Sequence, residues 1–307
     1  MMQYVGRRLL LAVPTLLLMS IVVFISVRLV PGGPVQVMLG LAQTNPAAVA
    51  RLTRELGLNL PLWQQYASWL AGVVRGDFGT SLFTGEGVAT MIAQRFPNTL
   101  ALVASSMLIS IVLGVVGGVA AAVHKGGWID LLVTFAAVLG VSLPGFWFGL
   151  MLILLFAVDL RWLPVAGAGG LRFLVLPAFT LGVTTASVVA RFVRASVVEA
   201  LREDYIRTAR AKGLSPLRVN YKHALRNALI PVVTLVGLQV GGLLSGAFVV
   251  ESVFGYAGIG QLTVQALQER DFPVIQAVTL MVATIYVLVN LAVDIVYSAI
   301  DPRIRYE

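Results

Sequence analysis

Among the long stretches of this 307-residue chain that carry no Asp, Glu, Lys or Arg, six are continuously apolar enough to read as spans: 9–27, 96–123, 131–158, 173–190, 227–250 and 272–293. A helix needs about 20 apolar residues, rising about 1.5 Å each, to cross about 30 Å of hydrocarbon, and every stretch is near or above that length. The pattern predicts an all-α polytopic membrane protein with six transmembrane helices, at about 9–30, 96–123, 131–158, 173–191, 227–250 and 272–296. Between them lie a long external loop, 31–95, and a charged loop, 192–226, and the whole of 1–307 reads as a single transmembrane domain. A hydrophobic content of 58%, only 12% charged residues and a mean hydropathy of +0.91 agree with this class. The first stretch follows Arg7 and Arg8, but its uncharged length exceeds the roughly 7–15 residues of a secretory signal core, so a retained helix is expected.

Helix breakers punctuate the pattern. Pro31, Gly32, Gly33 and Pro34 stop the first helix. In the loop that follows, "LPLWQQYASWLAGVV" sets Leu62, Trp63, Tyr66, Trp69 and Leu70 at helical spacing. That spacing suits an amphipathic helix at the membrane interface or an external cap packed on itself. Pro97 falls in the expected first turn of the second helix, and Pro144 in "SLPGF" should kink or break the third. Gly114 with Gly118, Gly145 with Gly149, Gly237 with Gly241 and Gly242 with Gly246 are small pairs four apart, which let helix backbones approach in lipid. Contacts within one bundle account for each pair, while the fifth helix, carrying two, is the candidate to face a second subunit.

The formal net charge of +8 and the pI of 10.2 raise the question of nucleic acid. Placement answers it. Six crossings put both termini on one side, together with Arg7, Arg8, Lys125, the 191–226 segment, Arg303 and Arg305. The short loops opposite hold only Arg161, Arg172 and Arg270, so the first side is expected to be cytoplasmic and the base excess reflects topology, with no nucleic-acid partner. The chain contains no cysteine, which excludes disulfides and thiolate metal sites.

The charged loop holds more than topology requires. Glu203 and Asp204 open a predicted short helix and Arg210 and Lys212 end it, the arrangement the helix dipole favours. Gly213 supplies a left-handed stop, and Ser215 and Pro216 can begin a second helix leading into the fifth span. Tyr205, Ile206, Ala209 and Leu214 add an ordered apolar set, so the loop reads as a docking element for a cytoplasmic protein. A helix resting on anionic lipid is the plainer alternative.

The segment "EDYIRTARAKGLSPLRVNYKHALRNALIPVV" resembles the coupling loop of ABC importer permeases, in the form typical of the dipeptide, oligopeptide and nickel branch. "RLVPGGP", "GLNLPLWQQYASWL", "RGDFGTSL", "SLPGFWFGLMLILLF", "WLPVAG", "VLPAFTLG", "GAFVVESVFGYAGIGQL", "RDFPVIQA", "NLAVDIVY" and "DPRIR" are similar to segments of that branch, in the same order. Against the family's general loop pattern, Arg207, Thr208 and Ala209 occupy the Glu-Ala-Ala places. Gly213 and Leu225 match, while His223 and Arg226 stand where isoleucine and proline are general. The resemblance implies ATPase docking by Asp204, Tyr205, Ile206, Arg207, Thr208, Ala209, Arg210, Ala211, Lys212 and Gly213. It further implies two ATPase subunits that bind ATP and Mg, a homologous second permease subunit, an extracytoplasmic solute-binding protein and a bacterial inner-membrane location with both termini cytoplasmic. Small peptides are the implied cargo, with nickel chelates and glutathione open.

No phosphate-binding GxxxxGK[ST] loop occurs, and "GYAGIG" lacks the glycine spacing of a dinucleotide fingerprint, so this chain is not expected to be an enzyme or to bind a cofactor. An ion-coupled secondary carrier or channel acting alone would need an acid in the membrane, for which Asp294, sharing a face with Asn290, is the candidate. An ion pair of Asp294 with Arg191, Arg194 or Arg226 is the expectation instead. A membrane-embedded enzyme lacks a catalytic cluster. On the fifth helix, Gln239 and Ser245 are the polar candidates for a translocation pathway.

Overall fold

The computed structural model describes residues 2–29, 35, 46–55, 57–216 and 218–300. The Pro31–Pro34 stop, Arg303, Arg305 and "DPRIR" lie outside them. Among the described residues eleven helices can be followed: α1 (Met2–Leu29), α2 (Pro46–Glu55), α3 (Leu62–Val74), α4 (Val88–Val123), α5 (Trp128–Ser142), α6 (Gly145–Leu152), α7 (Leu171–Ala200), α8 (Asp204–Ala211), α9 (Leu225–Val253), α10 (Ile259–Glu269) and α11 (Phe272–Ile300). Seven-residue π-helical stretches extend α6 through Ile153–Asp159 and precede α9 at Arg218–Ala224.

Five helices (α1, α4, α7, α9, α11) are long and apolar enough to span a membrane, and the bent pair α5–α6 makes a sixth if counted as one span. The two halves of that pair meet at 105°. Pro144 is the cause. A residue before proline is driven out of the helical region, and Leu143 accordingly adopts φ −80°, ψ 130°. Leu143 N–H still closes α5 on Leu139 O at 2.9 Å, and Pro144 O accepts from Phe148 N at 3.0 Å to open α6. The expected kink is therefore a full break.

Several boundaries differ from the sequence expectation, among them the start of α1, which lies at Met2 rather than near 9. α4 begins at Val88, which places Pro97 in its interior, and α7 runs nine residues past Arg191 to Ala200. Charge marks where an apolar run stops, whereas the helix continues while one stripe remains buried. In α7, Val193, Val197 and Ala200 keep that stripe beyond the charges.

The chain divides into two compact units. In the first, Met1–Pro97 with Gly258–Leu288, Val88 packs with Ile259, Leu262, Ala266, Val274, Ala277 and Val278. Asp271 accepts hydrogen bonds from Ser81 Oγ and, at 3.2 Å, from Leu82 N, pinning the 79–88 loop. α3 sets Tyr66 and Trp69 against Phe24 of α1, with ring centroids 5.3 and 5.7 Å away, and Tyr66 Oη shares a 2.7 Å hydrogen bond with Ser20. The aromatic face of α3 is thus used on the chain's own first helix, while Leu62 and Trp63 remain exposed.

In the second unit, Asn98–Ala257 with Val289–Glu307, α7 is the most buried of the spans and is bordered by α4, α5, α6 and α9. Glycine makes this possible. A Cβ on Gly114 would lie 2.6 Å from Val189 Cβ, and one on Gly118 would lie 2.6 Å from Ala190 O. Gly140 abuts Ser187, Gly246 abuts Leu181, and Gly237 abuts Val293. The glycine faces of α9 are thus largely occupied within the chain, and Gly242 is the one that looks onto open space.

A branched side chain at Gly118 would press on a backbone carbonyl that cannot move aside, so Gly118→Val should destabilise the unit by about 1–3 kcal/mol. Gly242→Ala should be neutral. Unfolding temperatures of the detergent-solubilised variants will separate the two.

Candidate functional site

α8 runs from Asp204 to Ala211, within the charged loop where a short helix was expected. Glu203 is its N-cap, in extended geometry without a side-chain cap bond, and Asp204 occupies the first turn. At the other end Gly213, with φ +75°, donates its N–H to Arg210 O at 2.9 Å, and Leu214 N–H reaches Ala209 O at 3.3 Å. These are the two bonds of a Schellman stop. Nothing lies within 4 Å of where a Gly213 Cβ would be, so the demand for glycine there is conformational. Ser215 contributes through its carbonyl, which accepts from Val219 N at 3.0 Å as the chain turns back towards α9.

The ten nominated residues divide by face. Ile206, with no exposed surface, and Ala209 enter a core with Val119, Ala122, Val189, Val193, Val197, Ala200, Val219, Ala224, Ala228 and Val232. They face the chain's own core and anchor the helix from that side. Asp204, Tyr205, Arg207, Thr208, Arg210, Ala211, Lys212 and Gly213 are exposed. The Arg207–Asp204 contact, 3.4 Å and open to solvent, adds little stability. α8 is therefore a short rod, apolar on the side fixed to α7 and α9 and polar on the side left open.

A cavity of about 470 Å³ opens where α5 breaks into α6 beside α7 and α9. Gln239, midway along α9, lines it together with Leu143, Gly145, Thr184, Thr185 and Gly242. Both threonine hydroxyls are turned back onto the carbonyls of their own helix, Thr184 at 2.9 Å and Thr185 at 2.9 Å from Leu181 O. Gln239 lines the cavity and makes no side-chain hydrogen bond among the described residues. Ser245 is exposed, and its hydroxyl is committed to Gly241 O at 3.2 Å. The structure thus brings Gln239, and not Ser245, to the cavity.

The structure also reveals acids that cutting the sequence at its charges concealed. Glu251, wholly buried, continues α9 past residue 250 and accepts a 2.6 Å hydrogen bond from Thr99 Oγ1, while Tyr256 N closes on Glu251 O at 2.8 Å. Asn98 Nδ2 reaches Ala257 O at 2.7 Å, so consecutive residues of α4 hold the end of α9 and the turn beyond it. Burial, with Glu251 nearby, raises the Tyr256 phenol above its ordinary range. The helical pattern of "GAFVVESV" running unbroken through the acid was the available signal. Asp130 is likewise buried and held by Arg194 at 2.5 Å, so one of the three partners expected for Asp294 is engaged elsewhere. The Asp294 side chain lies outside those described.

Comparison with known proteins gives this geometry a context. Residues 114–306 match the family described as binding-protein-dependent transport system inner membrane component, and residues 1–103 match the N-terminal region of such membrane components. The glutathione transport system permease protein GsiC of Salmonella typhimurium is 46% identical over 307 residues, covering 100% of both chains. The Escherichia coli protein of the same name is 45% identical over the same span. Among solved structures, an inward-facing methionine ABC transporter, MetNI, superposes with a TM-score of 0.58 at 20% identity, over 69% of this chain and 96% of that one. An amino acid ABC transporter with histidines superposes with a TM-score of 0.53 at 17% identity, over 70% and 94%. A helical bundle with spans of membrane length, matched along nearly its whole sequence, belongs to the family of binding-protein-dependent transport system inner membrane components, and the chain is a permease subunit of an ABC importer.

Proposed function

We propose that the permease imports small peptides, glutathione among them, through a pathway shared with a homologous second permease. Two ATPase subunits, which bind ATP and Mg, dock on the exposed face of α8, and an extracytoplasmic solute-binding protein delivers cargo on the opposite side. Both termini and the 192–226 loop are cytoplasmic in this reading. The cargo assignment is carried by the 46% identity over the full chain to permeases named for glutathione transport. The coupling assignment is supported by the architecture of α8, whose anchored face joins it to α7 and α9 while its polar face stays open. In the pathway Gln239 is the contact with cargo, an uncharged amide suited to the peptide groups of any short chain; Ser245, exposed on α9, faces the second permease.

Uptake of radiolabelled glutathione by cells with and without this chain, challenged by unlabelled di- and tripeptides, tests the cargo. Loss of glutathione uptake, with competition by short peptides, is expected; uptake unaffected by removing the chain would overturn the assignment.

Gly213→Pro removes the N–H that Arg210 O accepts and cannot adopt φ +75°. The variant is expected to reach the membrane yet lose about 10-fold in transport per ATP hydrolysed, a coupling loss within the usual range. Paired measurements of uptake and phosphate release in proteoliposomes will report it.

Gln239→Leu should lower the maximal uptake rate several-fold while the binding protein's affinity for cargo stays the same. Initial-rate uptake together with calorimetry on the isolated binding protein provides the check.

A further inference from the structure

Asp130 presents an arrangement that neither helix formation nor topology asks for. It stands in the first turn of α5, where an acid needs only to be near the helix end to satisfy the dipole. Here it is buried to 6% exposure beside Trp128 and Leu131, each 73% exposed. Its two carboxylate oxygens accept from Arg194 Nε at 2.5 Å and Nη2 at 2.7 Å, a bidentate fork across to α7. Gly126 N at 2.9 Å and Thr134 Oγ1 at 3.4 Å complete the shell.

Location gives the pair its meaning. Arg194 lies between Val193 and Val197, both of which pack in the core that receives Ile206 and Ala209 of α8. The same two turns of α7 therefore hold the coupling helix on one face and α5 on an adjoining one. From Asp130, α5 runs about 20 Å to its break, and its far end supplies Gly140, Val141 and Leu143 to the cavity wall. Gly140 against Ser187 is a further close contact of α5 with α7. Apolar ridges can slide past one another, but a bidentate fork fixes both separation and orientation.

We infer that Asp130 and Arg194 are positioning residues for coupling: their fork makes α5 follow α7 when α8 is displaced, so that the wall of the cavity moves with the lever. This rests on the coupling role proposed for α8. The route lies wholly within the second compact unit, from α8 through Val193 and Val197 to Arg194, across to Asp130, and along α5 to the break at Pro144.

The test uses the whole transporter, with its ATPase and binding-protein partners, in proteoliposomes. Asp130→Asn keeps the size of the side chain and removes its charge; it should lower transport per ATP hydrolysed by about 10-fold with basal ATPase activity unchanged. Arg194→Lys, which keeps the charge but loses the fork, should show a smaller loss, and the reversed pair Asp130→Arg with Arg194→Asp should recover a substantial part. Because this chain has no cysteine, Val141→Cys reports on the cavity wall. Its labelling by a maleimide should change between nucleotide-free and ATP-trapped complexes, and Asp130→Asn should abolish that change.

A wild-type transport-to-ATP ratio and wild-type nucleotide-dependent labelling in Asp130→Asn would overturn the inference. If that variant fails to assemble, Arg194→Lys decides by the same two readouts. Gly213→Pro in parallel separates the two proposals: uncoupling there with normal Asp130→Asn sinks the fork alone, whereas normal coupling in Gly213→Pro sinks the role of α8 and the fork with it.

Discussion

Close approach to α7 is the constraint on which the second unit depends. In lipid there is no hydrophobic gain in burying one apolar helix against another, so contact area and dispersion must hold the helices together. Gly114 and Gly118 of α4 and Gly140 of α5 bring those helices directly against α7, and Gly246 of α9 admits Leu181. The result is a central helix with valines and alanines along its buried length, packed at its glycine contacts closely enough to pass a displacement to its neighbours.

On that scaffold, polar groups fix what apolar packing leaves free to slide. Asp130 with Arg194 ties α5 to α7, and Thr99 and Asn98 hold the end of α9 through Glu251 and Ala257. In the first unit Asp271 does the same for the 79–88 loop through Ser81 and Leu82. Each of these acids sits at or near a helix end, where the chain leaves regular structure and backbone groups need partners. Such contacts are directional and resist rotation. The cavity lies at the Leu143–Gly145 break, where helical continuity gives way to an opening beside Gln239.

α8 shows how a helix of eight residues can serve as an attachment point despite being too short to be stable alone. Its stability comes from Ile206 and Ala209 inserted into the core and from the Gly213 stop. The exposed side can then carry Asp204, Arg207, Arg210 and Lys212 without contributing to the fold. Burial of the anchor and exposure of the charges are two consequences of one 3.6-residue period.

Much of this was legible in the residues. Uncharged runs located the spans because the cost of placing charge in hydrocarbon is large and local. Pro144 announced the break in the third span, and Gly213 announced the end of α8, because each restricts φ and ψ irrespective of context. The helix boundaries at Val88 and Ala200 were not legible, since burial of one stripe, rather than absence of charge, sustains a helix past the membrane. Nor could the sequence pair Asp130 with Arg194 or Thr99 with Glu251. Those are contacts between positions 64 and 152 residues apart, and side-chain chemistry along a chain carries no distance between such positions. Sequence alone determined where the apolar, membrane-length runs lie and where proline and glycine interrupt them, which are local properties of solvation and backbone sterics. The tertiary structure decided which glycine meets which helix, which acid is buried and which residues border the cavity, because packing depends on all the neighbours at once.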